Sequence, residues 1–210
     1  MFKTIKENVC EEIIEKKSRF ISNCFYIESV DEAEDIIKNI RKKYYDSKHN
    51  CFAYNITKSN KVIKKFSDDG EPAGTAGLAI MNVIEKKELS NIIIVVTRYF
   101  GGILLGTGGL VRAYSEAALK SIKQSGIISI ENGLEVLIEL EYKELENLKY
   151  YCRTNNININ EIKYEENINC IIEANEKELS NLLKNCENNL MKIVYYKIIK
   201  CKYIKKNIAK

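Results

Sequence analysis

The chain reads as an α+β protein of two domains, 1–130 and 131–210. Consecutive aliphatics at 92–97, IIIVVT, mark a strand covered on both faces, because one-sided strands alternate with polar residues. From residue 134 onward, short runs of strand and helix period follow the order βαββαβ, the ferredoxin-like arrangement. A chain of 210 residues is long enough for two small cores.

In chain order, VCEEIIEKK and RFISNCFYI (9–27) read as two strands meeting near Lys17-Ser18. Ser29 with Glu32 forms a capping box, and Val30, Ala33, Ile36, Ile37 and Ile40 recur at helical spacing to about Lys43. CFAYNI (51–56) and KVIKKFS (61–67) read as a hairpin turned at Lys58-Ser59-Asn60. SDDGEPAGTAG (67–77) is a loop into an apolar helix at 78–87. After the buried strand comes TRYFGGILLGTGGLVRAY (97–114), whose end begins a helix with Leu110, Val111, Tyr114, Ala117, Ala118, Ser121 and Ile122 on one face. Gly126 and Gly133 mark a boundary. Beyond it come a strand at 134–140, a helix at 142–155, strands at 159–166 and 168–174, a helix at 176–186 and a last strand at 191–203.

No run approaches the length of apolar sequence that spans a bilayer, and the N-terminal segment has no signal-peptide core, so a cytoplasmic location is expected. Seven scattered cysteines without C-x-x-C are neither a disulfide framework nor a zinc ribbon. The net charge of +4 lies in residues 1–130. After Glu187, however, no acid follows and the charged residues are all lysines, among them Lys197, Lys200 and Lys202. A basic strand there fits RNA, and it equally fits an edge guarded against aggregation.

Eight of the ten glycines, and the only proline, fall between residues 70 and 109. Gly106-Thr107-Gly108-Gly109 enters a helix, where free N–H groups and the helix dipole attract anions and glycines allow close approach. Arg112 in the first turn opposes that dipole unless an anion is also present, and Arg98 could point to the same place. Tight packing by the glycines, with Arg112 paired to Glu116, explains the pattern equally well. A P-loop is excluded because Thr107 stands where Lys is required, and G-x-G-x-x-G fails at Val111.

The stretches SDDGEPAGTAG and VVTRYFGGILLGTGGLVRAY, with HNCFAY (49–54) and SRF (18–20), resemble the YigZ/IMPACT family. The resemblance covers about 15–125, and 131–210 is similar to the small C-terminal domain of the bacterial members. It implies a first domain like that of a small-subunit ribosomal protein and of domain IV of elongation factor G. It also implies a ferredoxin-like second domain like the last domain of that factor. Eukaryotic members act in translational control through a protein partner and carry an added RWD domain, so that role is not carried over. For the bacterial type, binding to RNA or the ribosome is what fold and charge imply.

Arg98, Tyr99, Gly101, Gly102, Gly106, Thr107, Gly108, Gly109 and Arg112 are therefore read as a surface for phosphate groups, with Tyr99 or Phe100 stacking on bases if exposed. Asp68, Asp69 and Glu71 could hold Mg²⁺, though turn-capping bonds account better for them. His49, the single histidine, with Cys51 is a candidate reactive pair, and a hydrogen-bonded structural histidine is the plainer reading. Lys200 and Lys202 are secondary candidates. The expectation is a non-enzymatic cytosolic factor of translation that binds RNA or the ribosome, with no catalytic residue, cofactor or metal assigned. The rivals are a phosphate-handling enzyme or nucleotide binder on a galactokinase-like fold, and a protein-interaction module.

Overall fold

The structure is a computed structural model that describes residues 1–58, 61–187 and 191–207. Its contacts divide the chain into two compact units, 2–128 and 129–209. The first holds β1 (Phe2–Ile5), β2 (Val9–Glu15), β3 (Ser18–Tyr26), α1 (Val30–Lys43), β4 (His49–Lys58), β5 (Lys61–Ser67), α2 (Gly77–Lys86), β6 (Ile92–Tyr99) and α3 (Gly106–Ser125). Its sheet has the order β2-β3-β6-β4-β5, and every neighbouring pair is antiparallel. Ser59 and Asn60, in the turn read at 58–60, lie outside the described residues.

Strand β6 occupies the centre because its sequence suits nothing else. Ile92, Ile94 and Val96 enter a core with α2 and α3, including Ile80, Ile84, Tyr114 and Ala117. Ile93 and Val95 enter a second core with α1, through Ala33, Ile37 and Ile40. All five are fully buried, each worth roughly 2 kcal/mol of apolar transfer. Helix α1 starts where expected: Ser29 Oγ accepts the Glu32 N–H at 3.2 Å. The Glu32 carboxylate reaches one residue further back than in a standard capping box, to the Glu28 N–H at 3.0 Å.

The second unit contains most of β7 (Ile127–Leu140), a 3-10 turn (Tyr142–Glu144), α4 (Leu145–Thr154), β8 (Asn158–Tyr164), β9 (Ile168–Ala174), α5 (Glu176–Glu187) and β10 (Tyr195–Asn207). Its strands lie in the order β10-β7-β9-β8. Leu134, Val136, Ile138 and Leu140 of β7, with Ile168, Cys170, Ile172 and Ala174 of β9, pack against Leu148 and Cys152 of α4 and Leu182 of α5. The alternate residues form the other face, where Glu135 stands directly opposite Glu173 and Glu139 opposite Asn169.

Several boundaries differ from the sequence reading, and β1 was not read from it; two of the differences have a plain physical cause. Strand β7 begins at Ile127 and runs through Gly133 without a break; a Cβ there would lie 2.6 Å from Ile204, so the glycine admits that side chain within the strand. The last strand starts at Tyr195 instead of 191, because Met191 is drawn into the core and the Val194 N–H donates to the Glu139 carbonyl at 2.8 Å. Among the described residues no helix is long and apolar enough to cross a membrane.

Gly101 tests the packing of the first unit. A Cβ there would lie 2.0 Å from the Lys17 carbonyl carbon, in the turn between β2 and β3. Backbone has to move, so Gly101→Ala is expected to cost about 2 kcal/mol, read as a lower urea midpoint.

Candidate functional site

The acidic glycine loop, 67–77, is organised by Asp68. Its carboxylate accepts the N–H groups of Gly74 (2.8 Å), Ala76 (2.9 Å) and Gly77 (2.8 Å), which places a negative charge on the N-terminus of α2. The Asp68 carbonyl accepts from the Glu71 N–H at 2.9 Å and from the Cys51 thiol at 2.9 Å. Asp69 takes the Asn50 N–H at 2.7 Å and pairs with Arg41 at 2.6 Å. The three carboxylates that could have held magnesium thus point to different protein partners. Among the described residues no group of three or more His, Cys, Asp or Glu could hold a metal ion.

Glu71 anchors a buried constellation. Its carboxylate pairs with Arg98 at 2.7 Å, and both side chains are under a tenth exposed. The same oxygen accepts the Tyr114 hydroxyl at 2.9 Å. The Cys51 thiol lies 3.3 Å from that hydroxyl. Ser18 Oγ accepts from Arg98 at 3.5 Å and from the Gly101 N–H at 3.2 Å. The Arg98 guanidinium lies 5.5 Å from the Phe20 ring centroid and 5.6 Å from that of Phe100. Arg98 therefore does not present its charge to an outside anion, because Glu71 neutralises it in the interior. Residues Ser18 and Tyr114 hold this site together and were not singled out as site residues from the sequence.

His49 and Cys51 are each engaged with a different carbonyl of the acidic loop. Ring Nδ1 of His49 is 2.9 Å from the Asp69 carbonyl, a contact in which the ring N–H donates. Burial pushes the Cys51 thiol well above its ordinary range, as it does the Tyr114 hydroxyl. A thiol that burial keeps protonated is a poor nucleophile.

The start of α3 is built differently. Leu105 occupies the N-cap position with no side-chain cap, and no acid stands in the first turn. Gly106 has φ +71°, and Cβ atoms at Gly106 or Gly108 would meet nothing within 4 Å. The Arg112 Nε donates to the Gly108 carbonyl at 3.3 Å while the side chain stays exposed, and no ion pair joins it to Glu116 among the described residues. Arg112, Lys16, Glu15, Glu116, Leu105 and Gly109 line a cavity of about 260 Å³. Phe100, Ile103 and Leu104 are exposed at 55%, 43% and 83%, which makes the loop tip apolar. Tyr99 is half-buried; its hydroxyl donates to Asp46 at 2.6 Å, and Arg19 lies 5.6 Å from its ring centroid.

Of the expected surface, then, the structure groups Gly106, Gly108, Gly109 and Arg112 at one open helix end, and Thr107 and Gly102 are exposed beside them. Arg98 and Tyr99 are bound elsewhere, and Gly101 is a packing position. Lys200 and Lys202 are in the second unit, where Lys202 bridges Glu135 and Glu173 and Lys200 lies 3.4 Å from Glu135.

Two antiparallel sheets with helices, and two glycine loops joined through a buried ion pair, define the class of α+β protein to which known relatives can be compared. The Impact N-terminal domain matches residues 16–122. The IMPACT family member YvyE of Bacillus subtilis (strain 168) is 37% identical over 164 residues, 78% of this chain and 75% of that protein. The IMPACT family member YigZ of Escherichia coli (strain K12) is 38% identical over 138 residues, 65% of this chain and 67% of that one. The chain belongs to the IMPACT family. A crystal structure described as that of a hypothetical protein superposes with a TM-score of 0.58 at 25% identity, covering 100% of this chain and 98% of that one. A structure of the two-domain translational regulator Yih1 overlaps at a TM-score of only 0.37 and 20% identity, over 59% of this chain and 46% of that one, too slight a likeness to carry an argument.

Two outcomes check this site. Glu71→Gln leaves the Arg98 charge buried without a counter-charge and should cost about 3–5 kcal/mol in urea unfolding, whereas Tyr114→Phe should cost about 1 kcal/mol. A thiol reagent at pH 8 should modify exposed Cys10 and Cys201 first. Cys51, and Cys24 with its thiol pushed up to about 12 by burial, should react only on unfolding. Their raised folded values stabilise the protein fully below the ordinary thiol range. That contribution is lost as pH rises, because the unfolded chain ionises these thiols first.

Proposed function

We propose that this chain is a non-enzymatic cytoplasmic factor related to translation, binding RNA through the surface formed by Gly102, Gly106, Thr107, Gly108, Gly109 and Arg112. The observation that carries the reading is the contrast among the helix starts of the first unit. Helix α1 has Ser29 as a cap with Asp31 and Glu32 in its first turn, and α2 has the Asp68 carboxylate. The N-terminus of α3 has neither, and it keeps glycine-open access beside Arg112. A phosphate group supplies the negative charge that the other two helices take from their own side chains. Exposed Phe100 offers a ring for base stacking, the part the sequence reading gave to Tyr99 or Phe100.

The finer fold assignment belongs to the same proposal. The order β10-β7-β9-β8, with both helices on one face, supports a ferredoxin-like second unit. The first unit is read as similar to domain IV of elongation factor G and its ribosomal-protein relatives. The rival nucleotide enzyme loses one of its two motives, the acids, since Asp68, Asp69 and Glu71 are engaged in holding the loop.

The test is fluorescence anisotropy of a labelled single-stranded RNA dodecamer at two salt concentrations. Binding should weaken with salt, and Arg112→Ala should lower affinity about tenfold and reduce the salt slope by about one. Binding of the variant equal to that of the parent would sink the assignment of this surface.

A further inference from the structure

The strand β10 has the sequence of a covered strand in an uncovered position. Tyr195-Tyr196 and Ile198-Ile199 are apolar at consecutive positions, the pattern that β6 uses to fill two cores. In β10 these four side chains are exposed at 50%, 43%, 46% and 44%. Among the described residues β10 pairs with β7 alone, so its outer edge is a row of backbone donors and acceptors without a strand beside it. The opposite edge of the same sheet is guarded: β8 changes register between Ile159 and Glu161, which interrupts any added ladder. Beside β10, α5 leaves a mainly apolar groove of about 590 Å³ lined by Leu134, Leu179, Leu183, Ile198 and Cys201, with Glu176, Ser180 and Lys184 as its polar lining.

Charge selects the occupant. Strand β10 contains five lysines and no acid. Lys202 and Lys206 are committed to glutamates within the unit. Lys197 makes no ion pair among the described residues, and Lys200, though 3.4 Å from Glu135, keeps its side chain 60% exposed. A second copy of this strand would set lysines against lysines. RNA would use the lysines and leave the aliphatic groove empty. An extended peptide with aliphatic and acidic residues in alternation satisfies all three features, the edge, the groove and the cations.

We infer that β10 is a docking edge for an extended acidic segment of a protein partner, which adds to the sheet as a strand, sends its aliphatic side chains into the groove against α5 and sets its carboxylates on Lys197 and Lys200. The site is independent of the helix end assigned to RNA above.

The experiment is selection of a random twelve-residue peptide library against the purified full chain, followed by titration of the enriched peptides. Enriched sequences should alternate acidic with β-branched or aliphatic residues. Lys197→Glu and Ile198→Asp should each weaken them at least tenfold, with far-ultraviolet circular dichroism unchanged; both positions are exposed, so the fold tolerates them. Backbone amide resonances of β10 should shift on binding while those of β8 do not. The inference is overturned by enrichment without acidic alternation, by binding unaffected by both variants, or by displacement of the peptides by a uridine dodecamer. A concentration-dependent dimer abolished by Ile198→Asp overturns it in favour of a second copy.

Discussion

The buried pair of Glu71 and Arg98 is the constraint on which the first unit is arranged. Two charges withdrawn from water at 2.7 Å are tolerated only while each keeps its partner. Glu71 is on the loop before α2, Arg98 on the last turn of pleat in β6, and Tyr114 on α3. One carboxylate thereby fixes two glycine-rich loops and a helix to the same point. Ser18 extends the tie to the turn after β2, by accepting from Gly101. The bare backbone of the second loop has two separate causes. Gly101 is bare because Lys17 is in the way, whereas Gly106 and Gly108 are bare with nothing beside them.

Much of this was legible in the residues. The aliphatic run at 92–97 announced a strand with two covered faces, and Ser29 announced the start of α1. The order of elements after residue 134 was readable because amphipathic periods change cleanly from two to 3.6. The direction of Arg98 was also within reach: it follows Ile94 and Val96 at period two, so it shares the face that packs on α2 and α3. What no local pattern shows is that Glu71, 27 residues earlier, waits there. The same limit hid the role of Asp68, whose three acceptances depend on how the loop closes rather than on spacing. Gly133 misled for a related reason, since a glycine that admits Ile204 is identical in sequence to one that ends a strand.

The second unit manages charge by another route. Glu135 and Glu173 face each other across β7 and β9, an arrangement that would repel. Lys202 lies between them and removes the conflict. The lysines of the last strand are thus of two kinds, those that neutralise the sheet's own glutamates and those that face outward. A count of lysines from the sequence merges the two, which is why the basic ending alone decided nothing.

The strand order of the first unit also sets the sequence of events in its folding. β6 is the fifth strand of that sheet in the chain, yet it lies at the centre, between β3 and β4. As the chain leaves the ribosome, β2 with β3 and β4 with β5 can form only as separate hairpins, each with an unmatched inner edge. They become one sheet when residues 92–99 arrive, and the core on one side closes only after α3 follows. All residues through α3, to Ser125, must therefore be synthesised before this unit can resist a protease, and the hairpins are exposed to sticking until then.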